Sequence, residues 1–195
     1  YKITNNSSSV KDGKLFLMIR PFQVNPHYQW LNDPGGVGKI NSLNENDGKI
    51  YVNDDKVVIP LEKYDSFGAI TFHEGNIVEL IKENISLTNK SVVDDSKLAS
   101  GVLEYSFKLK SGEEKNIYLA IPFYGEKSIK ENLSEEIVEM KLNETIEFWK
   151  EKVNHIKFNL PESADRIVNT YKSNLAYILI NRDNVGIQPG SRSYE

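Results

Sequence analysis

The spacing of the apolar residues changes character once along this chain, and that change limits the fold more than any other feature. Leu103, Tyr105, Phe107 and Leu109 alternate with Glu104, Ser106, Lys108 and Lys110. After Ser111-Gly112-Glu113-Glu114 the alternation resumes with Ile117, Leu119, Ile121 and Phe123. Period two with one apolar face predicts a hairpin over 103–123, half covered by a core and half in water. Leu103, Tyr105, Phe107, Leu109, Ile117, Leu119 and Ile121 are the residues it would turn inward. Beyond Gly125 the spacing becomes helical, through Leu133, Ile137, Val138, Leu142, Ile146, Trp149 and Val153. Ser134 suits the N-cap ahead of Glu135 and Glu136, and Asn143 offers an alternative start for a separate helix. After an extended His155–Leu160 and Pro161, a second amphipathic helix is expected over 162–182. It carries Ala164, Ile167, Val168, Tyr171, Leu175, Ile178 and Leu179 on one side. Its last part, 175–180, is apolar almost all round, as in a helix end buried within something larger. Strands followed by helices exclude an alternating α/β fold and predict a mainly β chain with C-terminal helices.

Upstream, residues 1–13 are polar and are expected on the surface or mobile. Leu15–Ile19 is a short apolar run, consistent with a strand buried on both faces. Asn25–Gly38 holds two prolines, three glycines, Tyr28 and Trp30, and reads as a long ordered loop. Short strands are expected over 39–43, 49–52 and 56–61, separated by Asn46-Asp47-Gly48 and Asn53-Asp54-Asp55, both good turn chemistry. A further strand is expected over 67–72. Ile77–Lys82 follows Gly75-Asn76 and suits a short helix.

Composition narrows the function classes. The 195 residues suit one large domain or a domain and a half, and carry a net charge of −4 with scattered basic residues. That pattern gives no nucleic-acid footprint. No stretch is apolar and long enough for a membrane helix. The absence of cysteine removes disulfides, zinc thiolates and thiol catalysis. No signal peptide is visible after Tyr1, and both ends read as cuts through a longer parent, so the compartment is unknown.

The motifs yield little catalytic chemistry. Gly35-Gly36-Val37-Gly38-Lys39 resembles the tail of a phosphate-binding loop, but Asp33 and Ile40 stand where glycine and a hydroxyl are needed. A tight glycine turn is the simpler reading. His27, His73 and His155 fall on three separate elements without ligand spacing, so no metal and no cofactor is implied. Asp54-Asp55 and Asp94-Asp95 are neighbours beside turns; side chains at adjacent strand positions point apart, which reads as solvated turn acids. No Gly-x-Ser-x-Gly elbow supports a serine triad. Tyr28 and Trp30 offer a stacking face for a sugar ring or an anchor for their loop. Trp149 reads as core. In the C-terminal loop, Arg192 offers a planar fork for hydroxyls or carboxylates and Tyr194 a stacking face.

Two segments carry a family resemblance. Ala176-Tyr177-Ile178-Leu179-Ile180-Asn181-Arg182-Asp183 and Ile187-Gln188-Pro189-Gly190-Ser191-Arg192-Ser193-Tyr194 resemble the start of the helical barrel in bacterial six-hairpin glycosidase-like proteins, fold relatives of glucoamylases and glycogen-debranching enzymes. Arg20-Pro21-Phe22-Gln23-Val24-Asn25-Pro26 and Pro34-Gly35-Gly36-Val37 resemble the β-sandwich that precedes that barrel. The likeness spans most of the chain from Lys14 onward. It implies an antiparallel β-sandwich, a linker helix and the first helix of an α/α barrel. Such sandwiches usually have strands before the equivalent of Lys14, which would leave this one incomplete. The family's Trp-Ile-Arg-Asp stretch, whose acid contacts sugar, and its catalytic carboxylates would lie beyond Glu195. No residue is therefore carried over as catalytic.

The expected organisation is a polar segment over 1–13, a β-sandwich domain over 14–125, a linker helix region over 126–160 and a truncated barrel start over 161–195. The expected function is a non-catalytic sandwich and linker fragment of a glycoside-hydrolase-like protein in carbohydrate metabolism. It would support the barrel and shape one rim of its cleft, with Arg192, Tyr194 and Trp30 as substrate-binding candidates. Expected partners are the rest of the parent barrel, an oligosaccharide, and a second copy docked through the last helix. The alternative is a stand-alone carbohydrate-binding or protein-interaction β-sandwich module. Coplanar exposed aromatics would favour the module; a bare apolar face on the last helix would favour the fragment.

Overall fold

A computed structural model describes residues 1–30, 34–129, 132–183 and 186–187, with side chains described except at 23–35 and 183. The chain is mainly antiparallel β-sheet with a few helices towards its C-terminal end. It forms two compact units, one from 1–24 and 37–135, the other from 25–36 and 136–195. In order, the elements are β1 (Lys2–Thr4), β2 (Lys11–Ile19), β3 (Phe22–Trp30), β4 (Pro34–Gly38), β5 (Ser42–Asn46), β6 (Lys49–Val52), β7 (Lys56–Pro60) and β8 (Ser66–Ile70). Then follow α1 (Ile77–Lys82), β9 (Ser91–Val93), β10 (Ser100–Leu109), β11 (Glu114–Asn116), β12 (Leu119–Ala120), α2 (Glu135–Val153), α3 (Asp165–Ile180), β13 (Arg182–Asp183) and β14 (Gly186–Ile187). Among the described residues no helix is long and apolar enough to cross a membrane.

The first unit is built on two sheets with strand orders β2-β10-β8 and β12-β7-β6-β5-β9. One core joins them: Leu17, Phe67, Ala69, Leu103 and Tyr105 from the first sheet meet Leu43, Ile50, Val58 and Val92 from the second. Burying each large member contributes roughly 1.5–3 kcal/mol. The β5–β6 hairpin turns where the sequence asks for it, with Asp47 and Gly48 both at positive φ (51° and 75°), as a primed two-residue turn requires. A second cluster of Ile70, Ile77 and Val102 lies where α1 covers the other face of β10. Asn76 caps α1 as expected, its Oδ1 accepting the Val78 N–H (3.0 Å).

Several expectations are corrected. The predicted 103–123 hairpin does not form: β10 pairs with β2 and β8, whereas β11 pairs with β1 and β12 with β7. Alternation reveals which face of a strand is apolar but not which strand lies beside it. Ile121, expected in the core, is 62% exposed, because the ladder ends at Ala120. Phe107 is only half-buried, its ring lying over Gly13. Near its start β10 is covered on both faces, and the wet face begins only at Ser106. Conversely, β2 is not buried on both faces: it is an edge strand, and Met18 is exposed beside buried Leu17.

The polar 1–13 segment is built into the sheets. β1 pairs in register with β11, and β2 begins at Lys11. Between them Asn5 is buried, its Nδ2 donating to the carbonyls of Ser9 (2.8 Å) and Leu109 (2.9 Å) while its Oδ1 accepts the Ser7 N–H (3.0 Å). A polar sequence can be tightly placed when its hydrogen bonds are all met inside. Asn25–Gly38, expected as a loop, instead supplies most of β3 and β4, which pair with each other.

In the second unit α2 runs unbroken through Asn143, so no separate helix starts there. Trp149, expected in the core, is half-buried. α3 starts after a short 3-10 turn (Glu162–Ala164) and keeps Ile167, Tyr171 and Ile178 exposed on one side, at spacings of four and seven. Tyr171 packs edge-on against Phe158, with ring centroids 5.0 Å apart. The end of α3 is not enclosed: Tyr177 and Ile180 are 64% and 61% exposed.

Candidate functional site

The described residues offer one cleft whose walls combine a rigid base with unspent polar groups. It measures 440 Å³ and is lined by Arg20 at the end of β2, Phe72, Asn76 and Ile77 around the start of α1, and Leu98 and Ser100 leading into β10. This volume falls in the range of small-molecule sites. Ile77 is fully buried and forms the apolar base, while the Phe72 ring is 55% exposed. Asn76 spends its carbonyl oxygen on the α1 cap, which leaves its amide hydrogens for another acceptor. Arg20 is exposed, and among the described residues it has neither an ion pair nor a hydrogen bond.

Asp94 holds two walls of this cleft. It is 3% exposed, and its carboxylate accepts the N–H groups of Phe72 (2.9 Å), Ser96 (2.9 Å) and Leu98 (3.2 Å). Burial pushes its pKa up, but the three N–H donors outweigh this and hold it below the usual carboxylate value, helped by nearby His73. The reading of Asp94-Asp95 as two solvated turn acids is thus corrected for Asp94, which faces inward while Asp95 is exposed. A second tie comes from Glu74, whose carboxylate accepts both the backbone N–H (2.7 Å) and hydroxyl (2.8 Å) of Thr71. Those bonds lower its pKa.

Ser96 Oγ lies 3.2 Å from His73 Nε2, with Asp94 close by, so a serine, a histidine and an aspartate do gather here. Their arrangement is not that of a nucleophilic triad. Both Asp94 oxygens are taken by backbone N–H groups, so the carboxylate does not orient the imidazole through a hydrogen bond. His73 is exposed and packs edge-on against Phe72, at 5.6 Å between ring centroids. The cluster fixes a loop.

Two other polar groupings stand apart from the cleft. Glu126 accepts Lys49 Nζ (2.5 Å) and Tyr51 Oη (3.1 Å), which lowers the Glu126 pKa and raises that of Lys49. Beside it Phe123 and Tyr124 are more than 80% exposed, but their rings stand at 86° and form no flat platform. Asp54 and Asp55 are exposed on the neighbouring turn. Near the core, Tyr64 is raised far above its ordinary pKa by burial first and then by its hydrogen bond to Glu45. Among the described residues no group of three or more acidic or histidine side chains gathers as a metal site.

Of the residues singled out from the sequence, Trp30 closes β3, and its side chain lies outside the described residues, as does that of His27. Arg192 and Tyr194 also lie outside the described residues. His155 is exposed just past the end of α2. The cleft residues come from three separate segments, with Arg20 on one, Phe72 and Asn76 on the second and Leu98 on the third, so no pattern in the sequence announces them. No protein family model, curated protein or solved structure matches the chain.

Proposed function

We propose that this chain is the β-sandwich and linker portion of a glycoside-hydrolase-like protein of the six-hairpin type. In this reading it has no catalytic carboxylate pair of its own, supports a helical barrel and shapes one rim of the barrel's cleft. The observation that carries the reading is the bare face of α3, with Ile167, Tyr171 and Ile178 exposed along one stripe and Tyr177 and Ile180 exposed beside it. An apolar surface of this extent is costly in water and marks a surface made to be covered. The resemblance of 176–183 to a barrel start identifies the cover as further barrel helices. The two sheets sharing one core support the sandwich assignment. The crossed rings of Phe123 and Tyr124 argue against an aromatic sugar platform of the binding-module kind.

Sedimentation velocity tests this reading on the chain by itself. Without the barrel, α3 should pair with a second copy, and Ile167→Glu with Ile178→Glu should convert that dimer to a folded monomer. A wild-type monomer at all concentrations would mean that the stripe needs no partner. The second reading, a carbohydrate-binding module, is favoured by one feature, the Phe72 ring at the mouth of a cleft that Arg20 also lines.

A further inference from the structure

We propose that the Arg20–Phe72 cleft binds a single sugar ring bearing a carboxylate, a uronic acid residue. This rests on the carbohydrate reading above and adds to it the charge class of the sugar. Three properties of the cleft converge on that ligand. Its cation, Arg20, has no ion-pair partner among the described residues, and a guanidinium fork matches a carboxylate with two parallel hydrogen bonds. Phe72 presents a half-exposed ring at the wall, the kind of face against which the C–H side of a pyranose stacks. The Asn76 amide and the Ser100 hydroxyl line the same space and suit ring hydroxyls as donor and as donor or acceptor. Leu98 and Ile77 complete an apolar base. The volume of 440 Å³ accommodates one ring and leaves no need for an extended chain.

The walls are set before any ligand arrives. Asp94 grips the backbone on both sides of the cleft at Phe72 and Leu98, and Asn76 is locked as the cap of α1. Binding therefore demands little ordering of the protein, which favours even a small ligand. Asp94 and Glu74 stay charged close to the cleft, but their oxygens are taken up by three backbone N–H groups and by Thr71, so neither carboxylate is spent on Arg20. Among the described residues that line the cleft, Arg20 is the one that carries a charge.

The experiment is an amide NMR titration of the full chain with glucuronate, methyl glucoside and acetate, at constant ionic strength and neutral pH. Glucuronate should shift the amides of Phe72, Asn76, Leu98 and Ser100. Arg20→Gln should weaken glucuronate by about tenfold, the loss of one charge-assisted pair, and leave methyl glucoside unchanged. Phe72→Ala should weaken both sugars and leave acetate unchanged. Arg20 and Phe72 are exposed, so the variants should keep the wild-type spectrum elsewhere. Equal binding of glucuronate and methyl glucoside would overturn the acidic-sugar inference while the carbohydrate reading stood. Acetate reproducing the glucuronate shifts would reduce the cleft to a bare anion site and overturn it as well. No shift at the cleft with any probe would overturn it outright, whatever sedimentation says of α3.

Discussion

Replacing Tyr105 with phenylalanine should stabilise the protein. The Tyr105 side chain is 1% exposed in the core, and its hydroxyl has no hydrogen-bond partner among the described residues. A buried polar atom left unpaired costs about 1–3 kcal/mol of lost hydration. Phenylalanine keeps the ring, including its edge-on contact with Tyr64 at 6.5 Å between centroids. It removes only the oxygen, and the small void left behind costs about 1 kcal/mol or less. The balance is a gain of about 1 kcal/mol, read as a higher urea midpoint at unchanged slope. Alkaline pH supplies a second readout. Burial, and secondarily the Glu62 carboxylate, push the Tyr105 pKa up to about 12 from its ordinary value of 10.0. The unfolded chain therefore releases this proton first, and wild-type stability falls as pH rises between those two values. Tyr105→Phe should lose one proton's worth of that slope. A loss of 1 kcal/mol or more in the variant, with the alkaline slope intact, would show that the hydroxyl has a partner and that the reasoning fails.

Gly68→Ala should destabilise by about 1–3 kcal/mol, because a Cβ there would overlap the Leu87 backbone carbonyl, which a side-chain rotation cannot relieve; chemical denaturation measures it. Stability should also fall in acid. Asp65, lowered by its bonds to the Ser106 N–H and hydroxyl, and Asp94, lowered by its three N–H donors against the cost of burial, hold their carboxylates charged in the fold. Their contribution is present above the ordinary carboxylate pKa and is lost as pH falls through the lowered native values. Thermal melts from neutral pH downward should show the decline beginning near pH ~4. Asp94→Asn should flatten part of that decline and loosen the 71–76 segment in hydrogen exchange.

Local chemistry was the part of this fold most legible in the sequence. The Asp47-Gly48 turn, the short helix α1 with its Asn76 cap, and the change from strand to helix after Gly125 all depend on neighbours within a few residues. Pairing partners were not legible. β10 could not announce β2 and β8, whose paired residues lie 82 to 98 and 30 to 38 residues away in the chain, because alternation is satisfied by any adjacent strand. Asn5 was misread for a related reason. Its polarity suggested solvent, yet two of its partners, Leu109 and Glu113, lie more than a hundred residues away in the chain. The cleft was hidden in the same way, since Arg20, Phe72 and Leu98 meet only once β2, α1 and β10 are assembled. The inward turn of Asp94 likewise depends on the Phe72 N–H, a contact from a different segment.

On the function proposed above, this chain supports carbohydrate chemistry without performing it. The most direct test incubates purified chain with maltooligosaccharides and soluble starch and follows released sugar by chromatography against a buffer blank. Hydrolysis by the inverting or retaining route needs two carboxyl groups placed across the scissile bond. Release should be indistinguishable from the blank at every chain concentration. Release that rises in proportion to the chain, and persists through repurification, would contradict it.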